Sequence, residues 1–427
     1  MAASLPSIFF QRLSLTGLSR MFALKSHNVF RLLQLVPEPL PTFRVDVAAL
    51  FGKYLPQHGV ICDIVGRAGK GELVDGAYRT QARPAEYSCR LRQEWAFFKL
   101  CLGRVLAASK EQCDLIQVRD MVSIGLLTML VARCKGIRFT YWVSFLMSEG
   151  RIARARSAIA AGGGKRYYLV LLKGLVERFL LYKVVLKRAD HVFVQSEAMK
   201  QLMVERGIAI DKITAVPMGV DVEVLHAAAI APRRLAGWEG VPVLAYLGTL
   251  DSSRELTMLL DALLLLRTHQ PAARLLFIGD SPTASDVPAL IAHAARLGIA
   301  DAVHVTGWLP SLQALALLCG ADVALSYVPR GALFDYSSPT KLLEYLALGM
   351  PCVGNDSPDQ ENVLRASGAG RLSASTAEAM AEQIGIILAD LPAARLLAAT
   401  GPAFIDEQRS YRVLARRLAS VYRERIV

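Results

Sequence analysis

The feature that most constrains this chain is the regular alternation of short apolar segments with amphipathic segments. In the second half the apolar segments are uninterrupted, as in Val243–Leu247, Arg274–Ile278 and Val323–Ser326. Apolar runs without polar alternation are typical of strands that are covered on both faces. Strands that alternate with helices form βαβ units and a parallel sheet. The pattern therefore predicts a doubly wound α/β fold; further strands are expected at 192–194, 303–305 and 352–354.

The first half carries the same pattern, and a chain of 427 residues exceeds one ordinary core. We expect the first strand at Arg31–Val36, ended by Pro37, Pro39 and Pro41, and a loop over 66–86 that could contain short strands. The sequence thus predicts two Rossmann-like domains with a boundary near Pro217. The expected segments are a basic tail (1–28), an N-terminal domain (29–217) with a C-terminal helix (407–427), and a C-terminal domain (218–406).

Composition excludes several classes of protein. A hydrophobic fraction of 53% is incompatible with a disordered chain. The seven cysteines form no C-x-x-C pair, and no histidines are spaced so as to complete a zinc site with them. This pattern favours a reducing compartment and argues against a structural metal. No run of about 18 apolar residues is free of charge, so no membrane-spanning helix is expected. The basic residues of the tail, without acidic partners, fit a transit peptide, a membrane-surface segment or a loose extension.

The charge is +12, which suits nucleic acid, anionic lipid or phosphorylated substrates. Much of it lies in residues 151–188, where Glu177 is the one acidic residue. A basic amphipathic helix over 165–188 could lie on anionic lipid, and an ordinary core helix with a solvated polar face is the alternative. No interleaved aromatic residues offer a stacking surface, so nucleic acid is not an expected partner.

The densest local motif is the segment from Ser337 to Val353. Ser338 suits a helix N-cap, Pro339 the first turn and Gly349 the C-terminal cap. Free amides at such a helix start, a hydroxyl group and Lys341 would seat a phosphate. Glu344, about a turn and a half further, could accept hydrogen bonds from a ribose. The alternative is a well-capped packing helix with an exposed glutamate.

A second motif begins where an apolar strand ends at Gly248 and a polar loop opens a helix carrying Arg254. Ligands of doubly wound sheets bind beyond the carboxyl ends of strands, where Arg254 could clamp a diphosphate. Alone, Arg254 could also be a solvated arginine at a helix start. Two further turns follow strands on the same edge, at Gly279-Asp280 and Gly307-Trp308.

Taken in order, these motifs resemble the family 4 retaining glycosyltransferases. The resemblance rests on Val216-Pro-Met-Gly-Val-Asp221, Gly248-Thr-Leu, Gly279-Asp-Ser-Pro, Thr306-Gly-Trp and Pro339-x-Lys-x-x-Glu-Tyr-x-x-x-Gly-x-Pro351, and runs from about Lys187 to Tyr422. It implies a GT-B fold, two Rossmann-like domains facing a cleft, with a UDP- or GDP-sugar in the C-terminal domain. It implies no cofactor and no catalytic metal. The implied donor site comprises Gly248, Thr249, Arg254, Gly279, Asp280, Gly307, Trp308, Ser337, Ser338, Thr340, Lys341 and Glu344.

The same resemblance implies that Glu344 binds the ribose. It implies that Arg254 and the turn 337–341 bind the diphosphate, and that the Gly307 turn binds the base. The chain departs from the family where Tyr336, beside Asp335, replaces the first glutamate of Glu-x7-Glu. Thr249 replaces an arginine, and Ser144 stands where relatives commonly place a histidine that faces the sugar. We interpret it as a divergent branch and expect Arg254, Lys341 and Ser144 to be catalytic.

The expected activity is that of a metal-independent, retaining hexosyltransferase in polysaccharide or glycolipid synthesis. The acceptor would be a saccharide or a polyprenyl-linked sugar, and the protein would work in the cytoplasm at the inner face of an anionic membrane. Two alternatives stay open: a non-catalytic or partner-dependent nucleotide-sugar-binding subunit, and a nucleotide-sugar epimerase. His58 and His191 are expected to be structural.

Overall fold

A computed structural model of the chain describes residues 29–42, 44–73, 76–227 and 230–426. The basic tail expected over 1–28 lies outside the described residues. The chain divides into two compact units. The N-terminal unit is formed by the chain up to Pro217 together with the chain from Tyr411 onward, and the C-terminal unit is Met218–Ser410.

The N-terminal unit is built on a parallel sheet of seven strands in the order β3-β2-β1-β4-β5-β6-β7. The strand order reverses between β1 and β4. Every residue of β4 and β6 is buried, including the polar Gln117, Arg119 and His191, as expected of strands covered on both faces. The strands are β1 Phe30–Leu40, β2 Val60–Ala68, β3 Thr80–Ala82, β4 Leu115–Arg119, β5 Arg138–Val143, β6 His191–Val194 and β7 Ile213–Ala215.

Helices connect these strands by crossovers that are right-handed in parallel sheets. A segment with π-helical turns, Leu180–Val185, interrupts the long connection between β5 and β6. The helices are α1 Asp46–Tyr54 (with π-helical turns), α2 Arg90–Ala107, α3 Val122–Lys135, α4 Met147–Ala160, α5 Arg166–Phe179, α6 Leu186–Arg188 and α7 Glu197–Glu205.

The expectation that three prolines end β1 at Val36 is wrong, because the strand continues to Leu40. Its pairing with β4 covers only Leu32–Leu35, and the register with β2 shifts between Leu35 and Pro39. The prolines therefore lie beyond the doubly paired part of the strand, where a missing amide hydrogen removes no bond to β4.

The C-terminal unit contains a parallel six-stranded sheet in the order β10-β9-β8-β11-β12-β13, which confirms the doubly wound α/β fold. Its strand order reverses between β8 and β11. The strands are β8 Val243–Leu247, β9 Arg274–Ile278, β10 Val303–Val305, β11 Val323–Ser326, β12 Cys352–Asn355 and β13 Arg371–Ser373. The helices are α8 Val222–Ala227, α9 Thr257–Arg267, α10 Asp286–Arg296, α11 Ser311–Cys319, α12 Thr340–Ala347, α13 Pro358–Ser367, α14 Ala377–Ala389, α15 Leu391–Ala398 and α16 Gly401–Phe404.

The last helix, α17 (Tyr411–Arg425), belongs to the N-terminal unit and packs against α1. It begins at Tyr411 because Ser410 has an extended backbone. Its Tyr422 ring lies 5.4 Å from the ring of Phe30 and 5.3 Å from that of Phe193. The Tyr422 hydroxyl donates to Gln117 Oε1 at 2.9 Å, so this fully buried side chain is both packed and hydrogen-bonded.

Within the described ranges no single helix is long and apolar enough to span a membrane. The segments Ala377–Ala389 and Leu391–Arg409 have the length and composition of a membrane span only when they are taken together, and they meet at a 99° bend.

Tyr422→Ala should lower the free energy of unfolding by about 3–5 kcal/mol, because it leaves a cavity between Phe30 and Phe193. Tyr422→Phe should cost about 1 kcal/mol, because Gln117 Oε1 then keeps only the longer hydrogen bond from the Thr140 hydroxyl, at 3.3 Å. Urea titration measures both. Tyr87→Ala, at a tyrosine that is 48% exposed, is the matched control and should change little. Equal losses for Tyr422→Ala and the control would contradict the packing argument.

Candidate functional site

Two backbone turns pack closely at the carboxyl ends of β8 and β9. Gly248 follows β8 with φ 146°, and Gly279 follows β9 with φ 145°. A Cβ atom on Gly279 would lie 2.0 Å from the carbonyl oxygen of Gly248, so the contact requires glycine. Because the strand order reverses beside β8, this edge is the switch point where doubly wound sheets bind ligands.

Lys341 lies directly over Gly248. It projects from the first turn of α12, and a Cβ atom on Gly248 would lie 2.2 Å from Lys341 Cε. The Lys341 Nζ atom donates to Tyr246 Oη at 2.6 Å and lies 4.4 Å from the centre of that ring. None of the described carboxylates forms a salt bridge with Lys341. The switch point thus carries a positive charge without an anionic partner.

Glu344 follows Lys341 on α12 and is half-buried. Burial raises the pKa of its carboxyl group to about 7, and the nearby Lys341 charge opposes this shift only in part. The carboxyl group accepts no hydrogen bond from the described part of the chain. Its oxygens can therefore accept from hydroxyl groups of a ligand.

Arg254 ends a short 3₁₀ helix, Ser252–Arg254, and lies just before α9, which begins at Thr257. Its guanidinium carbon lies 5.5 Å from the centre of the Phe334 ring. Its Nε atom is buried without a hydrogen bond among the described residues, although Asp251 Oδ2 is 3.4 Å away. The donor groups of this arginine are therefore not saturated by the protein.

The start of α12 differs from the expectation. Its N-cap is Pro339, and no side chain caps the helix. Ser338 instead accepts from the Met218 amide at 3.0 Å and donates to Asp359 Oδ2 at 2.6 Å, so its hydroxyl is used by the fold. Ser337 donates to the Phe334 carbonyl oxygen at 2.6 Å, while the Thr340 hydroxyl has no partner in the described ranges.

The remaining donor-site residues follow β8, β9 and β10 on the same edge. The Asp280 carbonyl oxygen accepts from the Leu250 amide at 2.9 Å, which ties the first two turns together. The Thr306 hydroxyl accepts from the Gly279 amide at 3.2 Å, and Gly307 has φ 71°. The indole of Trp308 is 59% exposed. Thr249, half-buried, follows Gly248.

Sequence reasoning missed two aromatic residues of this site, Tyr246 and Phe334, which contact the two cations Lys341 and Arg254. Tyr246 lies within an apolar strand just before its end, a position that could have suggested a side chain near the switch point. The carboxylate of Asp335, expected beside the substituted glutamate position, is paired with Arg330 at 2.7 Å.

Ser144 lies in the N-terminal unit at the carboxyl end of β5. Its amide donates to Asp120 Oδ1 at 2.8 Å, and its hydroxyl donates to the other Asp120 oxygen. Asp120 has φ 51°, and burial raises the pKa of its carboxyl group. The neighbouring Arg119, fully buried, pairs with Asp46 at 2.5 Å and Glu38 at 3.2 Å. Sequence reasoning predicted Ser144 but not the buried charges beside it.

Of the seven histidines, His58 and His191 are the two expected to be structural. His191 is buried, and its Nε2 atom lies 2.8 Å from Thr214 Oγ1. Burial lowers the pKa of His191 to about 4, so it is neutral at physiological pH. His58 ends a short turn before β2. No group of three metal-binding side chains occurs among the described residues.

Two family models match most of the chain. Residues 46–224 match the family model "Glycosyltransferase Family 4", and residues 241–390 match "Glycosyl transferases group 1". The class is therefore a glycosyltransferase with the GT-B fold. More narrowly, the two models together support a family 4 glycosyltransferase, with a group 1 domain over residues 241–390. No curated protein sequence matches the chain.

Solved structures at low identity share the fold. A glycosyltransferase from Rickettsia africae is 17% identical with a TM-score of 0.68, over 93% of this chain and 99% of its own. Anabaena HepE in complex with UDP and glucose is 13% identical with a TM-score of 0.65, over 92% and 99%. WaaG, a glycosyltransferase involved in lipopolysaccharide biosynthesis, is 14% identical with a TM-score of 0.61, over 91% and 99%.

Gly248→Ala should destabilise the C-terminal unit by about 1–3 kcal/mol, because the new methyl group strains the backbone and meets Lys341. Adding Lys341→Ala should relieve the steric part, so the double variant loses less than the sum of the single ones. Gly298→Ala is the control for strain alone, with φ 71° and no heavy atom within 4 Å. Thermal unfolding of the wild type and the four variants measures these differences, and strict additivity would contradict the contact.

Glu344→Gln should stabilise the protein at pH 8 by about 1–3 kcal/mol and leave it unchanged near pH 4. The folded pKa is raised from 4.5 to about 7. The native carboxyl group therefore keeps its proton longer than the unfolded one, and its ionisation destabilises the fold progressively between these values. Unfolding midpoints across that pH range check the sign; a pH-independent difference would contradict it.

Proposed function

We propose that this glycosyltransferase transfers a hexose from a UDP- or GDP-sugar bound at the switch point of the C-terminal unit. The observation that carries the proposal is Lys341, a cation that forms no salt bridge with the described carboxylates, held over Gly248 at the carboxyl end of β8. A diphosphate supplies the missing negative charge. The amides at the start of α12 add partial positive charge on the same side.

Glu344 is proposed to accept hydrogen bonds from the ribose hydroxyls, since its carboxyl oxygens have no protein donor within the described ranges. Arg254, with an unsaturated guanidinium group, is proposed as the second cation on the diphosphate. The base is proposed to lie on the turn at Gly307, where the exposed Trp308 indole offers a stacking surface.

The chemistry we propose needs no metal ion. The departing nucleoside diphosphate gains negative charge in the transition state, and Lys341, Arg254 and the α12 amides would stabilise it without reorganising. Retention of configuration is proposed from the match to family 4. Ser144, held against Asp120 in the N-terminal unit, is proposed to position the sugar or the acceptor.

For the acceptor we propose a saccharide or a polyprenyl-linked sugar, used in polysaccharide or glycolipid synthesis on the cytoplasmic face of a membrane. Two observations support this. The chain carries a charge of +12, concentrated in residues 151–188 of the N-terminal unit. One protein of the same fold, WaaG, is involved in lipopolysaccharide biosynthesis.

Lys341→Gln and Glu344→Gln should each weaken UDP- or GDP-sugar binding more than about tenfold, since each removes a charged partner of a hydrogen-bonded ligand. Titration calorimetry with both nucleotides, in buffer containing EDTA, measures the affinity. Glu382→Gln, an exposed glutamate on α14, is the matched control and should bind as the wild type does. Unchanged affinity in both variants would refute the donor site.

Turnover in the same EDTA buffer separates the remaining possibilities. Sugar transfer to a saccharide or lipid acceptor supports the proposal, and a requirement for added metal contradicts its metal-free part. Donor binding without transfer or donor hydrolysis would favour a non-catalytic binding subunit. Conversion of the donor sugar without any acceptor would favour an epimerase.

A further inference from the structure

Helices α4 and α5 form a hairpin in the N-terminal unit. The inner face of α5 is close-packed, because a Cβ atom on Gly174 would lie 2.8 Å from Ile152 Cγ1. Glu177 also faces inward and forms a salt bridge with Arg151 of α4. This acidic residue of α5 thus points to the protein.

The opposite face of α5 is apolar and exposed. Its side chains follow helical spacing, so they form one continuous stripe along the helix. An ordinary core helix would bury such a stripe, whereas these side chains are exposed. The stripe residues are Tyr168 (58% exposed), Leu169 (71%), Leu172 (58%), Val176 (48%) and Phe179 (62%).

A regular helix over 165–188 would place its charged residues, Glu177 among them, on one face. The π-helical segment Leu180–Val185 shifts the phase of the residues after Phe179. Within α5 itself, the stripe of apolar side chains turns outward and Glu177 turns inward.

Basic side chains surround the stripe. Lys165, Arg166 and Lys173 are exposed on α5 or just before it, and Lys183 is exposed after it. The two acidic residues of the hairpin are engaged within the protein: Glu177 with Arg151, and Glu149 with the Tyr182 hydroxyl at 2.6 Å. The solvent side of the hairpin is therefore apolar and positively charged.

We infer that this hairpin lies flat on an anionic bilayer, with the α5 stripe among the acyl chains and the lysines at the headgroups. An apolar stripe with a basic rim matches that surface in both polarity and charge. A second copy of the chain fits less well, because pairing two stripes would bring like charges together. The inference rests on the proposed function in one respect: the bilayer surface is where a lipid-linked acceptor would be reached.

Co-sedimentation of the full chain with vesicles tests the inference. The wild type should bind equimolar phosphatidylcholine–phosphatidylglycerol vesicles, and less so at high salt, but bind phosphatidylcholine alone weakly. Leu169→Asp with Leu172→Asp should reduce binding more than about tenfold. Lys165→Gln and Lys173→Gln should each reduce it about fivefold, on anionic vesicles only. Leu396→Asp, at a leucine 78% exposed on α15, is the matched control and should bind normally.

Absence of wild-type binding, or an equal loss in the Leu396→Asp control, would overturn the inference. So would a wild-type dimer that Leu169→Asp with Leu172→Asp converts to monomers without any lipid binding. Nucleotide-sugar affinity in solution should be unchanged in that double variant. If the wild type binds vesicles but no nucleotide sugar, the proposed function fails while the docking surface stands.

Discussion

The close approach of Gly248 and Gly279 is the constraint on which the candidate site depends. Side chains at either position would separate the turns after β8 and β9, and a side chain at Gly248 would displace Lys341. Because the glycines carry no Cβ atoms, the two turns and the Lys341 side chain can approach one another this closely. The lysine is thereby held at the point where the strand order of the sheet reverses.

This arrangement leaves Lys341 and Glu344 with electrostatic interactions that the protein does not complete by itself. Lys341 has a hydroxyl and a ring as neighbours but forms no salt bridge with a described carboxylate, and burial raises the pKa of the Glu344 carboxyl group to about 7. Groups in such surroundings cost stability in the free protein and become favourable when a ligand of matching charge arrives. Outside the site, α5 likewise exposes groups that the described residues leave without a partner, namely an apolar stripe rimmed by lysines.

The two halves of the chain differ in how well their elements can be predicted. Strands such as Val243–Leu247 and Val323–Ser326 lie where continuous apolar runs predict them, because burial on both faces leaves a direct mark on the sequence. The extension of β1 through Pro37 and Pro39 could not be predicted, since it depends on which neighbours pair at those positions. Helix α4 left too weak a periodicity to predict its bounds.

By itself the sequence determined the doubly wound architecture, the family resemblance and the residue types of the site, because these follow from local periodicity and from motif order. Only the tertiary structure decided what each group is free to do. The Ser338 hydroxyl is hydrogen-bonded to the Met218 amide and to Asp359, whereas the Glu344 carboxyl oxygens accept no hydrogen bond from the described residues. It also decided that the α5 stripe faces outward. Hydrogen-bond partners and burial depend on residues distant in the chain, and no local pattern encodes them.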